Sequence, residues 1–472
     1  MKAFNKSSLV LILAVFVVFG ILLAGCSSGG NSNNNNGGGN EEATGGSDND
    51  SQSEEATEES AGTEGESSGG ELSGTFEIQY FVGGYGDAWW KAVIKDFQAK
   101  YPNLEIKQYA GPNINKEMKT RWISGDPPDV VYIDGAGSSE TQMVEDGLLM
   151  ELTDWVKTIK LPDGTPLMDS FIVPPSEFDG KIYSLPLVFD TWGMWYDKAW
   201  FEQEGFDAPS DFPSWMASMK EIKQKAGIAP FVTTGKYPYY FSRGVLYPAF
   251  AAVGGDELLA AVINGEKGAW TNDKVLDVMK KVQEMVEAGY VDPGFAALSH
   301  TQSQMNFLLH KNAYIPVGFW LPNEMAKDVP EGFEFGFIPS PMNDQGEPMV
   351  VVPDLRPLAI AQEADNPEAA KAFIKFAYQK KYAKTFSELT GALMDMKGVD
   401  LASDPKVPGY LKQANKMINS PKVEVHHKPH PMSADLEKPL GDALVKLLLG
   451  KIDAKTFCET MEKAAEEYRS SK

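Results

Sequence analysis

The sequence predicts an α/β protein of two lobes with a cleft between them. Three observations lead there. Residues 75–134 alternate strand, helix, strand, helix, strand, the rhythm that builds a parallel sheet. Strand and helix patterns resume between 228 and 360, far enough along the chain for a second sheet. And 472 residues exceed what one hydrophobic core organises, while 43% hydrophobic and 11% aromatic content is that of a folded chain.

The elements follow in order. In "TFEIQYFVGGYGDAWWKAVIKDFQAKYPNLEIKQY", Phe76, Ile78 and Tyr80 alternate as a strand does, and Gly83, Gly84 and Gly86 turn the chain. Trp90, Ile94 and Phe97 then share a helical stripe that ends at Pro102, and Leu104–Ile106 opens a second strand. "NKEMKTRWISGD" reads as an amphipathic helix and "PPDVVYIDGAG" as a short apolar strand. Ligands of such sheets bind beyond the carboxyl ends of the strands, which places Gly83–Asp87 and Asp134–Gly137 at a binding rim. Further on, "IAPFVTT", "KNAYIPVGFW" (ending at Trp320) and "FEFGFIPSP" read as strands. "RGVLYPAFAAVGGDELLAAVI" and "NDKVLDVMKKVQEMVEAGY" read as helices, and after "VVVPDLRPLAIA" helices fill the remainder. No short-period repeat occurs, which excludes a solenoid or propeller.

The N-terminus predicts an address and a tether. Lys2 and Lys6 precede an apolar run from Leu9 to Ala24, a secretory pattern too short for a stable membrane span. Leu23-Ala24-Gly25-Cys26 resembles the lipobox of bacterial lipoproteins, which makes 1–25 a signal peptide and Cys26 a diacylated N-terminus, against the alternative of a plain signal anchor. Residues 26–74 bring almost no apolar side chain to bury, so this acidic Gly/Ser/Asn tract is expected to stay disordered. A flexible chain of that length lets a domain float roughly 40 Å from its anchor. The expected location is the outer face of the cytoplasmic membrane of a bacterium, of Gram-positive type.

Composition excludes several functions. The net charge is −23, with eleven acidic and no basic residues in 27–73, and 41 basic against 55 acidic residues beyond. Such a surface repels phosphate backbones, so nucleic acid is not an expected partner. The two cysteines, Cys26 and Cys458, make neither a disulfide framework nor a zinc site, and Cys458 reads as a small buried hydrophobe. His426, His427 and His430 in "VHHKPHP" read as a polar loop, with two prolines and no carboxylate of metal-site spacing, so no metal or cofactor is expected. Neither a nucleophile elbow nor a phosphate loop of the GxxxxGK kind occurs.

"WISGDPPDVVYIDG", "GKIYSLPLVFDTWGMWYDKAWFEQEGF", "LLHKNAYIPVGFW" and "NPEAAKAFIKFAYQKKYAKTF" occur in the order seen in family 1 extracellular solute-binding proteins, the sugar-capturing lipoproteins of bacterial ABC importers. With the lipobox, the resemblance covers nearly the whole chain. The stretch from "AGIAPFVTTGKYPYYF" to "ALSHTQSQMNFLLHKNAYIPVGFWLPNEM" resembles the N-acetylglucosamine- and diacetylchitobiose-binding branch. The resemblance implies a type II periplasmic-binding-protein-like fold with hinged lobes, crossed at "YSLPLVFD" and "VVVPDLRPLA". Lobe 1 would be 75–187 plus 357–405, and lobe 2 would be 188–356 plus 406–472. It also implies a carbohydrate ligand, membrane permease subunits as partners, and a monomer.

Sugars present apolar C–H faces and a rim of hydroxyls, so a sugar site needs aromatic rings among carboxylates, amides and Arg. "FDTWGMWY" fits that need. With Leu185, Leu187 and Phe189 toward the core, Pro186, Val188 and Asp190 take the other face, and Trp192 follows on the cleft side. Trp195 reads as support and Trp200 as core. Pro322 starts a helix whose first turn holds Asn323 and Glu324, and Trp320 matches a cleft-lining aromatic position of the family. Tyr85 in the glycine loop, Asp134 at the first rim, and Tyr240, Arg243 and Tyr247 in "GKYPYYFSRGVLYP" complete the aromatic and polar set. Gln304 shares a helix face with His300, and Arg356 stands at the second crossing, to bind sugar or brace the hinge. The favoured function is a non-enzymatic carbohydrate receptor. Its rivals are a lipoprotein glycoside hydrolase, which needs paired carboxylates across a bond, and a sugar sensor for a membrane kinase.

Overall fold

The computed structural model describes residues 72–472, so the signal peptide, Cys26 and nearly all of the tether lie outside the described residues. Strand β1 (Gly74–Phe81) buries Phe76, Ile78 and Tyr80, following the alternation in the sequence. The helix Ala88–Lys100 buries Trp89, Trp90, Val93, Ile94 and Phe97 as one stripe. β2 (Leu104–Gly111), the helix Ile114–Ser124 and β3 (Val130–Tyr132) follow, and β1 pairs parallel to both β2 and β3. The expected β-α-β-α-β unit is present, with Gly83–Asp87 and Asp134–Gly137 beyond the carboxyl ends of β1 and β3.

The remaining strands are β4 (Ser184–Asp190), β5 (Gly193–Asp197), β6 (Ile315–Val317), β7 (Phe335–Ile338), β8 (Met349–Val351), β9 (Asp354–Ile360), β10 (Leu393–Met394) and β11 (Val423–Val425). The first sheet has the order β10-β4-β9-β3-β1-β2. β9 is antiparallel to both β3 and β4, so the sheet expected to be parallel is mixed. The two segments expected to cross between lobes therefore pair with each other along its centre. Central position also buries both faces of β4, so burial does not follow period 2. All seven residues of β4 are buried, Pro186, Val188 and Asp190 as fully as Leu185, Leu187 and Phe189.

A three-stranded antiparallel sheet, β6-β5-β7, parts two hydrophobic cores. Trp195, Ile315, Val317 and Phe337 pack into the core that underlies the first sheet. Met194, Tyr196 and Ile338 pack into the other, with the helices Phe212–Ala226, Asp273–Glu287, Ala434–Leu448 and Ala454–Ser471. Cys458 sits there, and burial pushes its thiol up to about 12, the inert state expected of it. The segment Tyr239–Asn264 is, among the described residues, the one helical stretch long and apolar enough to cross a membrane. It is apolar because Tyr247–Asn264 lies against this second core.

Other expectations need correction. "IAPFVTT" forms isolated bridges from Phe231 to Val291 and Tyr314 instead of a strand. β6 stops at Val317, and Trp320 caps the short helix Leu321–Glu324. Trp200 is half-buried, its ring stacked at 4.6 Å on His310, whose Nε2 lies 2.8 Å from Asp197.

One buried carboxyl ties β4 to its surroundings. The Asp395 backbone N–H donates to Leu187, and Asp395 Oδ1 accepts from the backbone N–H of Ile172 and Val173 at 3.0 and 3.1 Å. Burial pushes this carboxyl up to about 8, outweighing those donors. Folding therefore takes up a proton between about pH 4 and pH 8, and stability falls as pH rises through that window. Asp395→Asn should remove this component, up to roughly 1.4 kcal/mol per pH unit. Urea midpoints from pH 4 to pH 8 check it: a fall equally steep in both proteins refutes it.

Candidate functional site

Asp190 at the end of β4 faces Asp354 at the start of β9. Like charges directly opposite on paired strands repel, and both residues are buried. Cations gathered from three segments compensate them. Arg356, two residues along β9, sends Nη2 to Asp190 at 3.0 Å, Nη1 to Asp354 at 3.2 Å and Nε toward Asp134 at 3.4 Å. Arg243 reaches Asp354 at 2.8 Å and Glu437 at 3.1 Å, and the Lys428 ammonium pairs with Asp354 as well. Burial alone would raise the Asp354 carboxyl, yet these three cations hold it well below the usual carboxylate range. Asp190 goes the other way. Burial outweighs Arg356 and Tyr85 and pushes it up to about 6.

Tyr85 joins the glycine loop to this network, its hydroxyl donating to Asp190 Oδ1 at 2.7 Å. Asn323 donates to the Gly84 carbonyl from the short helix behind Trp320. A Cβ at Gly84 would lie 2.8 Å from Trp320 Cβ, so only glycine lets the loop approach this closely.

The rings stack edge to face beside the charges. Trp192 meets Trp320 with centroids 4.7 Å apart and Tyr240 at 5.1 Å, and Tyr85 meets Trp320 at 6.2 Å. The Arg243 guanidinium lies 4.5 Å from the Tyr239 ring centroid and 5.9 Å from that of Trp192. Arg243 sits in a π-helical turn, Ser242–Leu246, an insertion that recurs at functional sites. On the far side of Tyr240, Glu324 accepts from Gln304 Nε2 at 2.9 Å and lies 3.4 Å from His300 Nε2. Trp192 Nε1, Thr191 Oγ1 and Gln304 Oε1 are buried without a hydrogen-bond partner among the described residues.

Residues 83–384 match the profile of the bacterial extracellular solute-binding proteins. The chain belongs to that family. A diacetylchitobiose-binding protein of Streptomyces coelicolor is 26% identical over 89% of this solute-binding protein and 91% of its own length. A multiple sugar-binding protein of Streptococcus mutans is 23% identical over 66% and 73%. Among solved structures, a chitin oligosaccharide-binding protein superposes with a TM-score of 0.67 at 21% identity, covering 84% of this chain and 99% of that one. The fold of this solute-binding protein is accordingly the two-lobed type II fold.

Of the residues singled out in the sequence, Tyr85, Asp134, Asp190, Trp192, Tyr240, Arg243, Trp320 and Arg356 come together in one network of rings and ions. Gln304 and Glu324 adjoin it through Tyr240 and His300. Tyr247 stands behind it in the second core, its hydroxyl 3.8 Å from the Met432 sulfur and Lys428 near its ring. Trp192, expected to face a cleft, is fully buried, because Trp320 and Tyr240 close over it. Trp195 is support, donating to the Val317 carbonyl at 2.9 Å. The sequence reading missed Asp354, Lys428, Glu437 and Thr191, and passed over Tyr239 within "GKYPYYFSRGVLYP". Asp354 alone had a local signal, its two-residue spacing from Arg356. In the histidine segment, His426 Nδ1 lies 2.8 Å from Asp256 and His427 Nδ1 3.5 Å from it. Asp256 comes from the distant helix Tyr247–Asn264, while Glu424, 3.3 Å from His426 Nε2, is two residues away in the chain.

Asp354→Ala would leave Arg243, Arg356 and Lys428 buried around a missing carboxylate. Breaking a buried pair this way costs about 3–5 kcal/mol. Chemical denaturation should show that loss, and a change under about 1 kcal/mol would mean the cluster relaxes into water.

Proposed function

We propose that this solute-binding protein captures a carbohydrate outside the cell and delivers it, unaltered, to an ABC importer in the membrane. The observation that carries the reading is the pairing of the Trp192–Trp320–Tyr240 rings with buried polar atoms that the protein leaves unpartnered. Each such atom costs about 1–3 kcal/mol while unpaired, and a sugar supplies both the C–H faces for the rings and the hydroxyls for Trp192, Thr191 and Gln304. The names of the Streptomyces and Streptococcus relatives support a sugar, with chitobiose among the candidates.

In this reading residues 75–187 plus 357–405 form one lobe and 188–356 plus 406–472 the other. β4 and β9 carry the hinge, and Tyr85 and Gly84 meet Asp190, Trp320 and Asn323 when the lobes close. Asp134, Asp190 and Asp354 are engaged by Arg356, which suits positioning better than the acid and base roles of a hydrolase. Cys26 carries the lipid anchor, and the protein works as a monomer beside its permease.

A melting-temperature screen over mono- and oligosaccharides tests the ligand class. At about a hundredfold excess over Kd, a ligand stabilises by ~2.7 kcal/mol, read as a rise of a few degrees. Trp192→Ala and Trp320→Ala should each abolish that rise, and full ligand-induced stabilisation in both would move the site elsewhere. Replacing Cys26 by Ser in the producing cell should shift the protein from membrane to medium; retention at the membrane would refute lipid anchoring.

A further inference from the structure

Tyr85 sits in a turn whose other three residues are Gly83, Gly84 and Gly86, closed by the Gly86 N–H on the Gly83 carbonyl at 2.9 Å. Gly86 has φ +69°, and a Cβ there would meet nothing within 4 Å. A turn of this composition carries its one side chain on a backbone with few steric limits, as hinge segments do.

That side chain meets two kinds of surface at once. Its ring packs edge to face on the Trp320 indole, at 87° with centroids 6.2 Å apart, and its hydroxyl donates to Asp190 Oδ1 at 2.7 Å. Gly318 lets this indole and this oxygen lie together, since a Cβ there would collide with both. Asp190 is fully buried, with Oδ1 taken by Tyr85 and Oδ2 by Arg356 at 3.0 Å. Asn323, three residues past Trp320, fastens the same turn by donating to the Gly84 carbonyl.

C–H groups set against an indole and a hydroxyl donated to a carboxylate are the two contacts a sugar makes, through its ring face and its rim. Here one side chain of the protein makes both. Trp320 and Tyr240 close over Trp192 in the same arrangement.

We propose that Tyr85 is a built-in stand-in for the sugar: it closes the site on itself, and a sugar binds by displacing it from Asp190 and Trp320. The inference rests on the carbohydrate reading above. The exchange keeps the buried Asp190 carboxylate supplied with a donor in both states, and leaving it bare would be costly. Such a latch weakens apparent affinity in proportion to the fraction of molecules that are open.

Tyr85→Phe keeps the ring and removes the hydroxyl, and Tyr85→Ala removes both. Titration calorimetry with N,N′-diacetylchitobiose, or with the best binder of the melting-temperature screen, reads their effect. Tyr85→Phe should bind about tenfold tighter than the wild type, the factor carried by one hydrogen bond to a charged group. Tyr85→Ala should bind at least as tightly as Tyr85→Phe. Unchanged or weaker binding by both variants overturns the proposal and makes Tyr85 a dispensable or an ordinary sugar contact. The latch is also read without any sugar. Small-angle scattering of the free protein should give a larger radius of gyration for Tyr85→Ala/Asn323→Ala, in which both ties are cut, than for the wild type. Equal radii overturn the proposal. Failure of every sugar to bind, with the radii different, would instead overturn the carbohydrate reading and not the latch.

Discussion

Two carboxylates face one another across paired strands at the centre of this protein, and the candidate site is arranged around neutralising them. Asp190 and Asp354 are buried where β4 and β9 run side by side. Uncompensated, such a pair would separate the strands or stay protonated. Arg356 bridges both, while Arg243 and Lys428 reach Asp354 from the segments that pack beyond β9. The junction thus binds chain segments distant in sequence through charge. A purely apolar seam would hold them without fixing their register as sharply.

The rings depend on this charge lattice. Arg243 approaches both Tyr239 and Trp192, and Tyr85 hangs from Asp190 while its ring meets Trp320. Ions and aromatic faces therefore share residues. Moving either set displaces the other, which is how the Asn323–Gly84 hydrogen bond and an ion pair at Asp354 belong to one mechanical unit.

Much of this was legible in the sequence, and the reasons are local. The strand–glycine–helix rhythm around Tyr85 and Asp134 follows from period-2 and period-3.6 patterns, which act within a few residues. Trp192 stood out because a sugar site needs rings beside carboxylates, and Trp320 because it matches a cleft-lining position of the family the chain resembles. What escaped was tertiary. Lys428 lies in a histidine-rich loop 74 residues from Asp354, and nothing in that loop's composition announces a buried partner. The burial of Trp192 escaped for the same reason, because the rings that cover it come from two other segments. The full burial of Asp190 was not legible because alternation cannot distinguish a half-covered strand from one covered on both sides.

The wide turn at Ser242–Leu246 has an evolutionary consequence. It holds one residue more than an ordinary helical turn would, between the ring of Tyr240 and the helix Tyr247–Asn264. Losing one codon there would restore regular winding and rotate everything on one side by about 100°. Arg243 would swing off its carboxylates and off the faces of Tyr239 and Trp192 together. Descendants of such a lineage could trade the electrostatics of their specificity in a single step and keep the same scaffold.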